Sequence, residues 1–296
     1  MEEINERKYL VPTSILIAAV VISATWAYTN NQKLAKETSP KEVTGSDNAV
    51  PTVGESLVMP VPKNILVELN KSGVLDETKF NALYGERGMS VGDKNFLDGL
   101  KNGQLVMNSG NAQLALNVLW AMGLGQKSAI LTNGPLSDSS YGGAGGFAST
   151  GGWTLGTGTL ADHLSMHSFV NLTTEQEQLV ERVSKNIYRP CCNNSTHFPD
   201  CNHGMAMLGL LELLASQGTD ELSMYKAALK ANALWFPNQY ATIERYLGAR
   251  GLSLASASAQ DILGKTYSSG SGFAQIAATA PTEPATRPTG GGGCSV

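Results

Sequence analysis

The stretch HGMAMLGLLELLASQG, His203 to Gly218, is apolar on nearly every face, and this constrains the fold more than any other feature of the chain. A helix that is apolar all round must be enclosed by others, so it is expected at the centre of a helical domain. Enclosing helices are readable on both sides. PKNILVELNKSGVLDETKFNALYG predicts a short helix ending at Gly73 and a second capped by Asp76. NAQLALNVLWAMGLG predicts an apolar helix stopped by Gly123 and Gly125. TTEQEQLVERVSKNIYRP opens on Thr174 with Glu177 three residues on, the capping-box spacing, and is expected to run to Tyr188 before Arg189-Pro190. DELSMYKAALKANALWF and PNQYATIERYLGARG predict an antiparallel pair, with Pro237 in the first turn of the second. No alternating strand pattern or internal repeat stands out. The expected class is all-α: an N-terminal membrane helix followed by a helical-bundle domain over residues 63–278.

The ends read differently. Tyr9 to Tyr28, YLVPTSILIAAVVISATWAY, carries no charge and has the length needed to cross a hydrocarbon core. Around Ala24 and Ala27 the positions that should hold small residues before a cleavage site hold Ile22 and Thr25, so an uncleaved anchor is expected rather than a signal peptide. The expected topology is a cytosolic residue 1–8 end, a single-pass anchor in the cell membrane over 9–28, and an extracytoplasmic remainder. Residues 29–62 are polar and rich in Ser, Thr and Pro and read as a flexible stalk. Residues 279–296 read as a disordered, glycine-rich tail in which Cys294 stands alone as an attachment or incidental thiol. Charged residues make up only 16% of the chain and the net charge is −4, which excludes a nucleic-acid partner; the membrane is the one partner predicted.

Directly before the central helix lies YRPCCNNSTHFPDCNHG, which holds three of the chain's four cysteines and two of its four histidines. Thiolate and imidazole are shared ligands of zinc, copper and iron, and groups this close in sequence can converge on one ion. The expected ligands are Cys191, Cys192, Cys201 and His203, with His197 as an optional further one. The helix start at His203-Gly204 would favour the thiolate form of a nearby cysteine. Two other readings stay open. Outside the membrane Cys201 would pair as a disulfide with Cys191 or Cys192, stapling the loop; or one cysteine would act as a nucleophile with His203 or His197 as base, as in thiol oxidoreductases, although no Cys-x-x-Cys is present.

Accessory groups are also readable. His163 and His167 in HLSMH share a face if that segment is helical, and Met166, Met205 and Met207 would lean the site toward copper or simply fill the core. Glu212, in the middle of the apolar helix, must find a partner: an arginine, a hydroxyl or a metal. The glycine-rich segment Tyr141 to Gly158 matches no phosphate-binding motif and is expected to be a long loop pinned by Phe147 and Trp153, and a candidate lid.

The block IYRPCCNNSTHFPDCNHGMAMLGLLELLASQG, with FASTGGWTLG before it and LWFPNQY after it, resembles an uncharacterised family of membrane-anchored bacterial proteins. The shared segments are PCC-x-N-S-T-x-F-P-D-C-N-H-G-M-A and GGWTLG. The likeness spans the chain from near Asn111 to about Phe273. It implies a functional block rather than a casual disulfide, and brings no activity with it.

Overall fold

The computed structural model describes residues 54–85 and 88–281. The anticipated membrane segment, the cytosolic end and Cys294 lie outside these residues, and no helix among those described is long and apolar enough to cross a membrane. The described chain is mostly helical, as the periodicity predicts, with one small sheet added.

That sheet corrects two expectations. Residues Leu57–Pro60 (β1), within the stretch read as a stalk, pair antiparallel with Gln104–Met107 (β2), Leu57 opposite Met107 and Pro60 opposite Gln104. The pattern is short but alternating: Leu57, Met59 and Val61 are buried while Val58 and Pro60 face out. Two four-residue strands are too short to stand out from flanking polar sequence, and only their mutual pairing makes them stable. The folded region therefore begins before residue 63.

Between the strands run Ile65–Lys71 (α1), Glu77–Leu83 (α2) and Val91–Lys101 (α3). The first ends at Gly73, which takes a left-handed φ of 78°, and Asp76 caps the second by accepting from the Lys79 amide at 2.8 Å. Ala112–Gly125 (α4) follows, then the short Ala129–Asn133 (α5), Thr174–Ser184 (α6), Asn202–Ser216 (α7), Glu221–Trp235 (α8) and Pro237–Gly248 (α9). Three short helices close the described chain: Ala259–Leu263 (α10), Lys265–Ser268 (α11) and Gly270–Thr279 (α12).

The predicted central helix is central: every residue of α7 from Asn202 to Ala215 is buried. Its closest companion is α4, buried at all but one position. Gly123 does not stop α4 but lies within it, facing Gly209 of α7. A Cβ on Gly123 would collide with the Met205 carbonyl, and one on Gly209 would stand 2.5 Å from the Leu119 carbonyl oxygen. The two glycines let antiparallel backbones approach, so here glycine signals packing rather than termination. The start of α6 also shifts by one residue. Thr173 is the cap and Gln176 completes the capping box, with Thr173 Oγ1 accepting from the Gln176 amide at 3.3 Å; the helix stops at Ser184 rather than Tyr188.

Candidate metal centre

The block between α6 and α7 is wound around one side chain, Arg189, expected from the sequence only to follow the end of α6. Arg189 is fully buried. Its Nη2 donates to Cys192 Sγ at 2.9 Å and to Asp200 Oδ1 at 3.1 Å, and its Nη1 donates to Thr196 Oγ1 at 3.4 Å. Asp200 is held from its other oxygen by Asn194 Nδ2 at 2.8 Å, and Thr196 passes its own proton to the Ile187 carbonyl at 3.1 Å. The guanidinium thus ties both ends of the loop to its middle. Gly204 makes room for it, since a Cβ there would meet Arg189 Cζ at 2.8 Å. A signal did exist: a lone arginine one proline before two cysteines, with a single aspartate inside the same block.

Around this hub the three cysteines converge. Cys201 Sγ lies 3.6 Å from Cys191 Sγ and 3.7 Å from Cys192 Sγ, and the three sulfurs form a group able to hold a metal ion. Cys201 is the N-cap of α7, its sulfur accepting from the Gly204 amide at 3.4 Å where an oxygen side chain is usual. The sulfur therefore sits at the positive end of a buried helix. The other rim is anchored by α12, whose Gly270 amide donates to the Cys192 carbonyl at 2.7 Å while the Ser271 amide donates to Asn193 Oδ1 at 2.8 Å.

The electrostatics separate the three thiols. Hydrogen bonds from Cys191 and Cys192, then the charge of Arg189, hold Cys201 well below the usual thiol range despite burial. Cys191 is pushed up by its hydrogen bonds to Cys192 and Cys201 and by burial. For Cys192 the bond from Cys191 pulls down, but the bond to Cys201 and burial outweigh it and raise the group to about 12. Burial works against the charge on Arg189, yet the sulfurs and Asp200 more than compensate and its pKa rises. Cys201 is thus the most acidic of the three, its sulfur solvated by two thiols and, through Cys192, by a guanidinium. Metal binding would displace the protons the sulfurs hold.

The histidines do not join the sulfurs. His203 is buried, its ring 4.5 Å from that of Phe236 and 5.8 Å from that of Trp235, and burial pushes it down to about 4, so it is neutral. Its Nδ1 has no hydrogen-bond partner among the described residues. His197 turns away, with Nε2 3.8 Å from Glu181 Oε1 on α6. His163 and His167 do meet, ring nitrogens 3.2 Å apart, but through a turn in which Ser165 takes a φ of 60°, not on a helix. The His167 amide bonds the Gly125 carbonyl, so this segment closes the end of α4. Glu212 lies three helical turns beyond Cys201, about 16 Å along the axis, and does not support the cluster. Of the methionines named, Met205 and Met207 are core and Met166 is exposed.

The glycine-rich loop does lie against the block and is pinned by its aromatics. Trp153 Nε1 donates to the Val74 carbonyl at 2.8 Å, and its ring packs on Trp120 with centroids 4.8 Å apart. Phe147 meets Phe198 of the block edge to face at 5.3 Å, and the Ser149 amide reaches the Asp200 carbonyl at 3.3 Å.

Fold and site together define a helical domain with three half-buried thiols gathered around a buried arginine at the start of its core helix. No protein-family model, curated protein or solved structure matches the chain.

Proposed function

We propose that the protein is a membrane-anchored, extracytoplasmic metal-binding protein that holds one thiophilic transition-metal ion, zinc, copper or iron, between Cys191, Cys192 and Cys201. What carries the reading is the mutual approach of the three sulfurs at 3.6 and 3.7 Å. Thiolates about 2.3 Å from a tetrahedral zinc ion stand about 3.8 Å apart, close to the two separations from Cys201, and all three sulfurs lie within 4.8 Å of one another. Three protein ligands leave one position for water or an incoming ligand, the pattern of a site that exchanges or presents its metal rather than one closed for structure. Arg189 supplies the outer-shell donor that offsets thiolate charge. The membrane placement is supported by the uncharged run from Tyr9 to Tyr28 and by the resemblance of the cysteine block to membrane-anchored proteins.

A thiol–disulfide reading has its own support: Cys201, the most acidic thiol, faces two alternative partners. One experiment separates the two. The full-length chain is purified in non-ionic detergent without chelator, and bound metal and free thiols are measured together. The metal reading expects one ion per chain, all four thiols reduced, and loss of the ion in Cys201→Ser. A chain that takes up no metal after reduction, and carries a bond from Cys201 to Cys191 or Cys192 as isolated, overturns it in favour of the disulfide.

A further inference from the structure

A cavity of about 410 Å³ opens beside α7 well away from the thiols, between α5 and α6. Glu212 lines it from the core helix. The side chain is 1% exposed, and neither carboxyl oxygen has a hydrogen-bond partner among the described residues. Its neighbours on the helix, Leu211 and Leu213, are buried hydrocarbons, and a leucine at 212 would serve the core better. A carboxyl kept in such a place, facing a cavity, is a ligand group without its ligand.

The surroundings indicate the ligand's chemistry. Glu177 and Glu181 of α6 stand at the mouth, against Lys127 and a His197 that burial and Lys185 keep neutral. Glu181 is engaged by Lys185 at 2.6 Å, so Glu177 is the carboxylate that remains to draw a cation in. Leu172 and Val180 supply an apolar wall. We infer that this cavity binds a small alkyl amine in its ammonium form, with Glu212 as the buried counter-ion and Glu177 of α6 as the attracting carboxylate at the mouth. The volume suits a small molecule, and the apolar wall suits its alkyl chain. Burial holds the Glu212 carboxyl well above the usual range, with the nearby Ser128 hydroxyl, too poorly placed for a full hydrogen bond, a partial counterweight and Glu177 adding to the rise. An incoming ammonium supplies the missing charge, so binding releases the Glu212 proton. The site is independent of the thiol centre.

The test uses the full-length chain in non-ionic detergent, titrated calorimetrically near neutral pH with n-butylamine hydrochloride in two buffers of different ionisation enthalpy. Sodium butyrate is the anionic counterpart. The expected result is saturable butylammonium binding with proton release, weakened at least about tenfold by Glu212→Gln, and no butyrate binding. Ala129→Trp plugs the exposed mouth without touching the core helix and should abolish binding, which keeps the proposal testable if Glu212→Gln does not fold. No saturable heat with the unaltered chain, equal binding by Glu212→Gln, undiminished binding by Ala129→Trp, or butyrate bound as tightly as butylammonium overturns it.

Discussion

Arg189 Nη2 lies 2.9 Å from Cys192 Sγ and, through the same nitrogen, 3.1 Å from Asp200 Oδ1, so one buried guanidinium joins a thiol of the cluster to the loop's only carboxylate. This relationship makes the geometry of the sulfurs depend on a residue that is not itself a ligand. Lysine would keep the charge but lose the planar fork that reaches Cys192, Asp200 and Thr196 together. Arg189→Lys should therefore weaken metal binding about 10- to 100-fold, measured by chelator competition. Arg189→Met leaves Asp200 without its cationic partner, held by Asn194 alone, and should lower stability by about 3–5 kcal/mol in urea unfolding. Unchanged metal affinity in Arg189→Lys would show that the sulfurs are positioned by the backbone alone.

Gly209→Ala tests the α4–α7 contact. The added Cβ would meet the Leu119 carbonyl at 2.5 Å, backbone that has no free direction in which to yield. The expected loss is about 1–3 kcal/mol, read as a lower urea midpoint at constant slope. Because the cluster sits at the N-terminus of α7, metal affinity should fall along with stability. A change within the error of the midpoint would mean that the helices separate easily.

The pH dependence of stability should carry the mark of Glu212. Its carboxyl is raised well above the ordinary glutamate value of 4.5 by burial, so the folded chain holds this proton more tightly than the unfolded one. That contribution is fully present below about pH 4.5 and is lost as pH climbs toward the folded value. Glu212→Gln cannot ionise and should show a flatter decline between about pH 5 and 8 when urea midpoints are compared. Parallel curves for the two proteins would count against a buried, protonated carboxyl.

Trp153→Phe removes the hydrogen bond to the Val74 carbonyl while keeping most of the ring contact with Trp120. A stability loss of about 1 kcal/mol is expected. The clearer readout is limited proteolysis, which should cut faster between residues 141 and 158 as the loop loosens from the helices. Equal cleavage rates would place the loop's anchorage elsewhere, at Phe147 and Phe198.

The helices were legible where one strong local pattern acts. The apolar run of α7, the Asp76 cap and Pro237 at the start of α9 each follow from a rule that spans a few residues. The strands were not, because four-residue alternations gain their stability from a partner almost fifty positions away. Gly123 was misread for a related reason: a glycine that ends a helix and one that admits a neighbouring helix look the same until the neighbour is known.

The site divides along the same line. Sequence alone showed that Cys191, Cys192 and Cys201 can converge within one short loop, although nine or ten residues of extended chain would reach about 30 Å, and that Cys201 stands beside a helix start. It also determined that Glu212 would be buried. Tertiary structure decided which groups share the centre. It brought Arg189 in and turned His197 toward Glu181. It enclosed His203 between aromatic rings and left Glu212 facing a cavity. The physical reason is that spacing sets how near two residues can come, whereas the direction of a side chain depends on what lies beyond it, and those neighbours arrive from distant parts of the chain.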